Sequence, residues 1–511
     1  MQTHKHRARV KAVFYREEKM KKRWRGVAFL IFLFCLLALT SYLTNPFSRY
    51  SSVKTAFSTS LDADNQLILH QSGDIPVRSN FFYNGFSTAK SIYYIVTNVY
   101  EKNRGTQAKD LAGIIREIHE KRFNPDNLYL ISGDHFNTLY IRSLGIFYST
   151  ILDPRTALDE TDWVHRQQIY LQTTAYALDV FAQTPTLSTT IVPVGSRSVT
   201  LLNVYSPPSD TMFSLLYALR VMQTSIDLFT VYPFDQTVGG TYQTRTASQA
   251  LVTYYMPTLQ RQYNFYLASV VDPKTGLIRK DILLSGTKDI AKRQSAFYDN
   301  VILWKTEQLA QQLGVTPPDQ NHLDELKAKI LQTYWLPDKG YFLEDQSDAA
   351  IKNSYYSSDW LIVLETGFLT LQNPSEVQYY QRSVEFIQKN GIDQPFGLHY
   401  QMKDREEREY TLVKLFVPEY GGTAIWSHWG IEYVKALISL YKVTGKTEYL
   451  DTAQKQLDAY SANIVKYRCY PEVYSSNGKM LQNFFYKSVC ETGWVVNYEE
   501  ASKMLQSARM Q

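Results

Sequence analysis

Glu472 lies in the run Tyr470-Pro471-Glu472-Val473-Tyr474-Ser475-Ser476-Asn477-Gly478-Lys479, held by a proline and two tyrosines between a long helical pattern and a glycine turn. It is the first candidate for a catalytic carboxylate. Asp289, closing Ser285-Gly286-Thr287-Lys288-Asp289 just before a helical pattern that begins at Ile290, is the second. Asp289 also suits a helix N-cap, where a carboxylate meets free backbone N–H groups. Together the two could do acid–base work: a carboxyl kept protonated by apolar neighbours can give a proton to a leaving oxygen, and an ionised one can activate water. Glycosidic cleavage needs that division of labour.

Aromatic residues make up 14% of the chain, with 39 tyrosines. Most serve packing, since tyrosine has an apolar body and a polar tip. Several lie beside carboxylates or histidine in segments between helices: Asp359-Trp360, Glu419-Tyr420, and Trp426-Ser427-His428-Trp429. Flat sugar faces edged by hydroxyls call for aromatic platforms next to such polar groups. Asp359 can also cap the helix that follows it, and His428 can be a satisfied core histidine.

The elements that must position these residues begin with an anchor. Gly26 to Leu43 is an uncharged run of 18 residues, close to the roughly 20 needed to cross a bilayer core. Ten Lys or Arg against Glu17 and Glu18 precede it, which keeps the N-terminus cytoplasmic and puts the main domain outside. The bulky end of the run suits a retained span better than a cleaved signal. Residues 1–25 therefore read as a basic cytoplasmic tail, 26–43 as a single transmembrane helix, 44–105 as a lead-in or stalk with a strand at Leu67-Ile68-Leu69, and 106–511 as the main domain. The whole chain carries +5, but beyond residue 25 it has 44 basic against 47 acidic residues, which excludes a nucleic-acid partner. Cys469 and Cys490 could pair outside the cytoplasm. No C-x-x-C, His-x-x-x-His or calcium-loop spacing occurs, so neither a metal nor an organic cofactor is expected.

Beyond residue 107 apolar residues recur at three and four. Helices are expected near 107–121, 135–152, 160–183, 209–231, 241–269, 290–314, 320–334, 356–371, 375–389, 421–444 and 446–467. A turn and short strand recur between some of them, at Asp272–Gly276, Leu336–Gly340 and Val473–Gly478. A repeated unit without linkers implies a closed ring of hairpins, with inner helices buried all round and outer ones on one face.

Three segments resemble the six-hairpin glycosidases, the (α/α)6 toroids that include glucoamylases, trehalases and processing glucosidases, over roughly residues 107 to 505. Gly133-Asp134-His135-Phe136-Asn137-Thr138-Leu139-Tyr140-Ile141-Arg142-Ser143 is similar to the aromatic-x-Arg-Asp segment that grips the non-reducing sugar, although Ser143 stands where that family has Asp and Asp134 must replace it. Asp134 and Arg142 could share a helix face, about two turns apart. Gly276-Leu277-Ile278, Ser285–Asp289 and Ser295-Ala296-Phe297-Tyr298-Asp299-Asn300 look like the loop that carries a general acid. The family's Trp-Glu pair is absent there, Asp289 takes the acid's position, and Asp299 is a substitute. The Glu472 segment is similar to the late element whose Glu is the general base, and Pro418-Glu419-Tyr420-Gly421-Gly422-Thr423-Ala424-Ile425-Trp426 to a pocket-lining loop.

The resemblance implies a mainly α (α/α)6 toroid behind one transmembrane helix, in the cell membrane of an envelope setting. The implied activity is inverting hydrolysis of an oligo- or polysaccharide. Glu472 would be the base and Asp289 the acid, with Asp134, Arg142, Asp299, Asp359, Trp360, Glu419, Trp426 and His428 around the sugar. A catalytically silent glycan-binding or assembly toroid, and a polysaccharide lyase, are the competing readings, because this fold hosts all three.

Overall fold

A computed structural model describes residues 57–61, 67–71, 77, 85 and 105–510, except 128, 132, 134–137, 146–149, 195–197, 204–206, 225–239, 284–285, 289–290, 405–413 and 415. The apolar run at 26–43 lies outside these residues. Among the described residues, no helix is long and apolar enough to cross a membrane.

The chain is mainly helical, consistent with an α/α toroid. Six segments lie on the outside: α1 (Leu111–Arg122), α2 (Glu160–Ala182), α4 (Gly240–Val270), α6 (Gln320–Tyr334), α9 (Pro374–Lys389) and α11 (Thr447–Tyr467). Each is followed by an inner one: a 3-10 turn (Ile141–Leu144), α3 (Thr211–Thr224), α5 (Phe297–Gln312), a 3-10 turn running into α8 (Ser358–Leu361, Ile362–Thr366), α10 (Ser427–Thr444) and α12 (Val495–Met510). Neighbours in the inner series pack together, α3 on α5, α5 on α8, and α10 on α12. The ring closes where α1 meets α11 and where α12 meets the turn Pro154–Thr156.

Burial follows from the pattern. In α6 the buried positions are Leu323, Leu326, Ile330 and Tyr334, a single stripe at helical spacing, whereas in α5 every residue from Phe297 to Trp304 is buried. The outer helix α2 is buried almost throughout because strands β1 (Phe57–Leu61) and β2 (Leu67–Gln71), an antiparallel hairpin, cover α2 and α4. The strand expected at Leu67 is therefore laid on the ring. Side-chain N-caps from Asp110, Asp159, Asp319 and Asn373 start four outer helices, while α5, α8 and α10 have none.

Several expected boundaries shift. Segment 135–152 is not a long helix: β3 (Leu139–Tyr140) pairs with β4 (Thr190–Val194), which pairs with β5 (Ser198–Leu202). Helices expected from 290 and 421 start at Phe297 and Ser427, because the residues before them are taken into loops that reach the ring's end. Short α7 (Asp348–Asn353) and the final α12 were not anticipated. The three turn units do recur. Val271 bridges Ile278, β6 (Trp335–Leu336) pairs with β7 (Tyr341–Phe342), and Tyr474 bridges Met480, around Gly276, Gly340 and Gly478, all at positive φ.

Inner and outer helices approach closely at Gly430 of α10. A Cβ there would collide with the Tyr460 hydroxyl of α11 and lie 3.0 Å from the Gly397 Cα. Overpacking of this kind costs about 1–3 kcal/mol, so Gly430→Ala is expected to lower the thermal midpoint. The Tyr460 hydroxyl makes no hydrogen bond. Adding Tyr460→Phe should recover part of the loss, measured by comparing denaturant midpoints of the single and double variants.

Candidate active site at the inner-helix N-termini

The segments entering the inner helices converge at one end of the ring. The loop before α5 supplies Thr287, Lys288 and Arg293, all buried. Arg293 Nη1 lies 2.5 Å from Asp359 Oδ2, at the start of the turn leading into α8. Tyr400 joins them: its hydroxyl is 3.3 Å from Asp359 Oδ2 and 2.6 Å from Thr287 Oγ1. Lys288 Nζ is 2.8 Å from Glu344 Oε1 and 3.9 Å from the Tyr400 ring centre, and Gln401 Nε2 donates to both Glu344 oxygens at 2.9 and 3.0 Å. A buried charge is tolerable only when so met.

Environment sets the protonation of this network. Burial pushes the Lys288 ammonium down to about 8 despite Glu344 beside it. Burial pushes the Tyr400 phenol well up, and the Asp359 carboxylate adds to that. Asp299, in the first turn of α5, is fully buried. Its Oδ1 accepts from Ser209 Oγ at 2.6 Å, and Oδ2 has no hydrogen-bond partner among the described residues. Burial raises its carboxyl to about 6, with Arg293 opposing. A Cβ on Gly286 would lie 2.6 Å from Asp299 Oδ1, so this glycine lets the loop lie directly on the carboxyl.

Glu472 stands at the rim of the same end. The strand β8 (Ile425–Trp426) pairs with β9 (Val473–Tyr474), Ser427 N donates to Glu472 O at 3.0 Å, and Glu472 N donates to Val489 O at 2.9 Å. Its half-buried side chain adds to the burial that raises the Tyr486 phenol. A disulfide between Cys469 and Cys490 brackets the loop. Rings continue from there: Tyr486 to Tyr420 (5.5 Å), Tyr420 to Trp426 (4.8 Å), Trp426 to Trp494 (6.4 Å) and Trp494 to His428 (5.5 Å). On the outside, exposed Phe484 and Phe485 touch each other, and Phe485 touches Phe416.

The structure thus brings Asp299, Asp359, Trp426, His428 and Glu472 to one end of the ring. Arg142 is there too, but its carboxylate is Asp210, at 3.5 Å, just before α3. Asp134 and Asp289 lie outside the described residues. Glu419 serves the loop's own architecture, since Oε2 accepts from Ser476 N at 2.8 Å, its carbonyl receives Gly422 and Ala424, and its φ is +70°. Trp360 does not face a pocket. It is buried against Phe342 and Tyr380 with Nε1 donating to Tyr356 Oη at 3.3 Å, so the core claims it.

The sequence reading missed Lys288, Arg293, Glu344, Tyr400 and Gln401, which meet only through folding. It also missed a deeper group. Glu432 and Lys435 lie one and two turns below His428 on α10, with Glu365 on α8 and Glu500 on α12. Lys435 Nζ lies 2.7 Å from Glu432 and 2.5 Å from Glu500. Burial raises both Glu365 and Glu432 to about 8 and pushes His428 down to about 3. A Glu and a Lys inside the otherwise largely apolar run Trp429–Ile438 are the signal that could have found them.

No family model and no curated protein sequence matches the chain. Among solved structures it is similar to a glucoamylase from Saccharomycopsis fibuligera (11% identity, 80% of this chain and 98% of that one, TM-score 0.47). A D-mannose isomerase (11%, 78% and 97%, 0.46) and the neutral trehalase of Saccharomyces cerevisiae (13%, 74% and 75%, 0.45) are further neighbours. These neighbours include six-hairpin glycosidases. At such identities and scores none of them lends this chain an activity.

The raised Asp299 carboxyl has a stability signature. It is neutral in both states only well below its ordinary value of 3.8, and as pH rises from there through its folded value of about 6 the unfolded chain ionises first while the buried group resists. Stability relative to Asp299→Asn is therefore expected to be greatest near about pH 3 and to fall by up to roughly 3 kcal/mol by about pH 7. Denaturant melts of both proteins across that range check this; a constant difference would overturn the assignment.

Proposed function

We propose that the chain is a membrane-anchored extracytoplasmic glycoside hydrolase acting on an envelope or extracellular oligo- or polysaccharide. One observation carries it: a chain of aromatic rings, Tyr486, Tyr420, Trp426 and Trp494, starts beside the Glu472 carboxylate. That is what a sugar-binding cleft with a catalytic carboxylate requires. Glu472 is assigned as the base that activates water. Asp289 is assigned as the acid, since its loop also carries Thr287, Lys288 and Arg293 into the site. Arg142, Asp359 and Trp426 surround the sugar, His428 lies buried beneath them against Trp494, and Asp299 acts on Arg293 through its field from below. Inversion is the proposed stereochemical course.

The anchor is supported by the apolar run Gly26 to Leu43 and the basic residues before it. The Cys469–Cys490 disulfide supports an oxidising compartment. One observation favours a second reading, a glycan-binding ring without catalysis: Asp210, Glu344 and Asp359 all face cations already.

The test is reducing-sugar release from a panel of α- and β-glucans and envelope polysaccharides by the full-length chain in detergent. Glu472→Gln and Asp289→Asn run in parallel. Release by the wild type, with a loss of roughly a hundredfold or more in each variant at unchanged thermal midpoint, is expected of the acid and base. Product anomers followed by NMR would then report inversion. Glycan binding without release would instead select the non-catalytic ring.

A further inference from the structure

Below the aromatic mouth, Glu365 on α8 and His428 and Glu432 on α10 face one another, with one ligand atom of each lying within 4.8 Å of the others. Their side chains are 3%, 0% and 1% exposed. His428 Nε2 is 3.5 Å from Glu365 Oε2. Within the described structure neither buried Glu365 oxygen has a donor other than a proton shared with Glu432. Two carboxylates facing each other in an apolar interior need either such a proton or a metal cation between them.

Lys435 does not meet that need by itself. Its ammonium lies between Glu432 and Glu500, so three carboxylates are set against one cation. Once a metal displaces the protons that burial keeps on Glu365 and Glu432, the group with a neutral imidazole carries two negative charges in excess, the charge of one divalent ion. The donors are two carboxylate oxygens and an imidazole nitrogen, a borderline set suited to Zn2+ or Mn2+. An outer shell is also in place. Asn497 Nδ2 is 3.4 Å from His428 Nδ1, and Asn497 Oδ1 accepts from Thr150 Oγ1 at 2.8 Å. Turning the amide over, with the Thr150 hydroxyl then accepting from Nδ2, lets Asn497 Oδ1 accept a hydrogen bond from Nδ1–H and turns the Nε2 lone pair toward a cation.

We propose that Glu365, His428 and Glu432 form a divalent-cation site in the interior of the ring, beneath the sugar-binding mouth. His428 and Glu432 stand four apart on one face of α10, the spacing of His-x-x-x-His with a carboxylate as the second ligand. The third ligand comes from another helix and has no sequence signature. Binding here is independent of the hydrolase reading, since it is measured without any glycan.

The full-length, untagged chain in detergent is stripped with a chelator and titrated with Mn2+ and, separately, Zn2+. One ion per chain and a rise in thermal midpoint are expected, with affinity weakened at least tenfold in Glu365→Gln and in Glu432→Gln. Pulsed EPR of the Mn2+-loaded wild type should show nitrogen coupling from one imidazole, a readout that survives if either variant fails to fold. No binding up to about 1 mM, retained affinity in folded variants, or a Mn2+ signal without nitrogen coupling would overturn the site and leave protons as the only charge between the two carboxylates.

Discussion

Arg293 is wholly buried, and its guanidinium can remain there only because Asp359 meets it at 2.5 Å. The pair ties the loop before α5 to the turn before α8. Through Tyr400 and Thr287 it reaches the segment that leads to β8, and through its field it reaches Asp299. Removing one partner would strand a charge in the interior at a cost of about 3–5 kcal/mol. The loops that enter the inner helices are therefore held by electrostatic necessity, where a loop of ordinary polarity would be free to move.

The ring of helices makes that necessity possible. The outer helices α6 and α9 bury one stripe and begin at their own side-chain caps, whereas the inner helices α5 and α10 are buried on every face over their first turns and enter from the polar loops. Polar atoms in those loops have no bulk water to turn to and must find one another. The same logic continues downwards, where Glu365, Glu432, Lys435 and Glu500 come from three different inner helices. Acidic groups outnumber basic ones in that layer, and the imbalance makes it chemically distinct from the paired layer above.

Aromatic residues do two jobs that composition does not separate. Trp360 and Trp426 both lie beside a polar residue, Asp359 and Ser427, where the chain enters an inner helix, and both looked suited to a sugar. Trp360 turns into the core against Tyr380, while Trp426 stays partly exposed and hydrogen-bonds the Tyr420 carbonyl at 3.0 Å. Glu419 and Glu472 differ in a similar way. The first is used to hold Ser476, and the second stands beside Tyr486 at the rim.

The sequence by itself determined the helical hairpins and their turns. Periodic burial is written at spacings of three and four, and Gly276, Gly340 and Gly478 take the positive φ that other residues resist. Tertiary structure decided which charges meet. Arg142 pairs with Asp210, and Lys288 with Glu344, because ring closure juxtaposes loops far apart in the chain. Whether an aromatic faces the core or the mouth was decided there as well, since either direction satisfies the local pattern and only packing against neighbouring helices separates them.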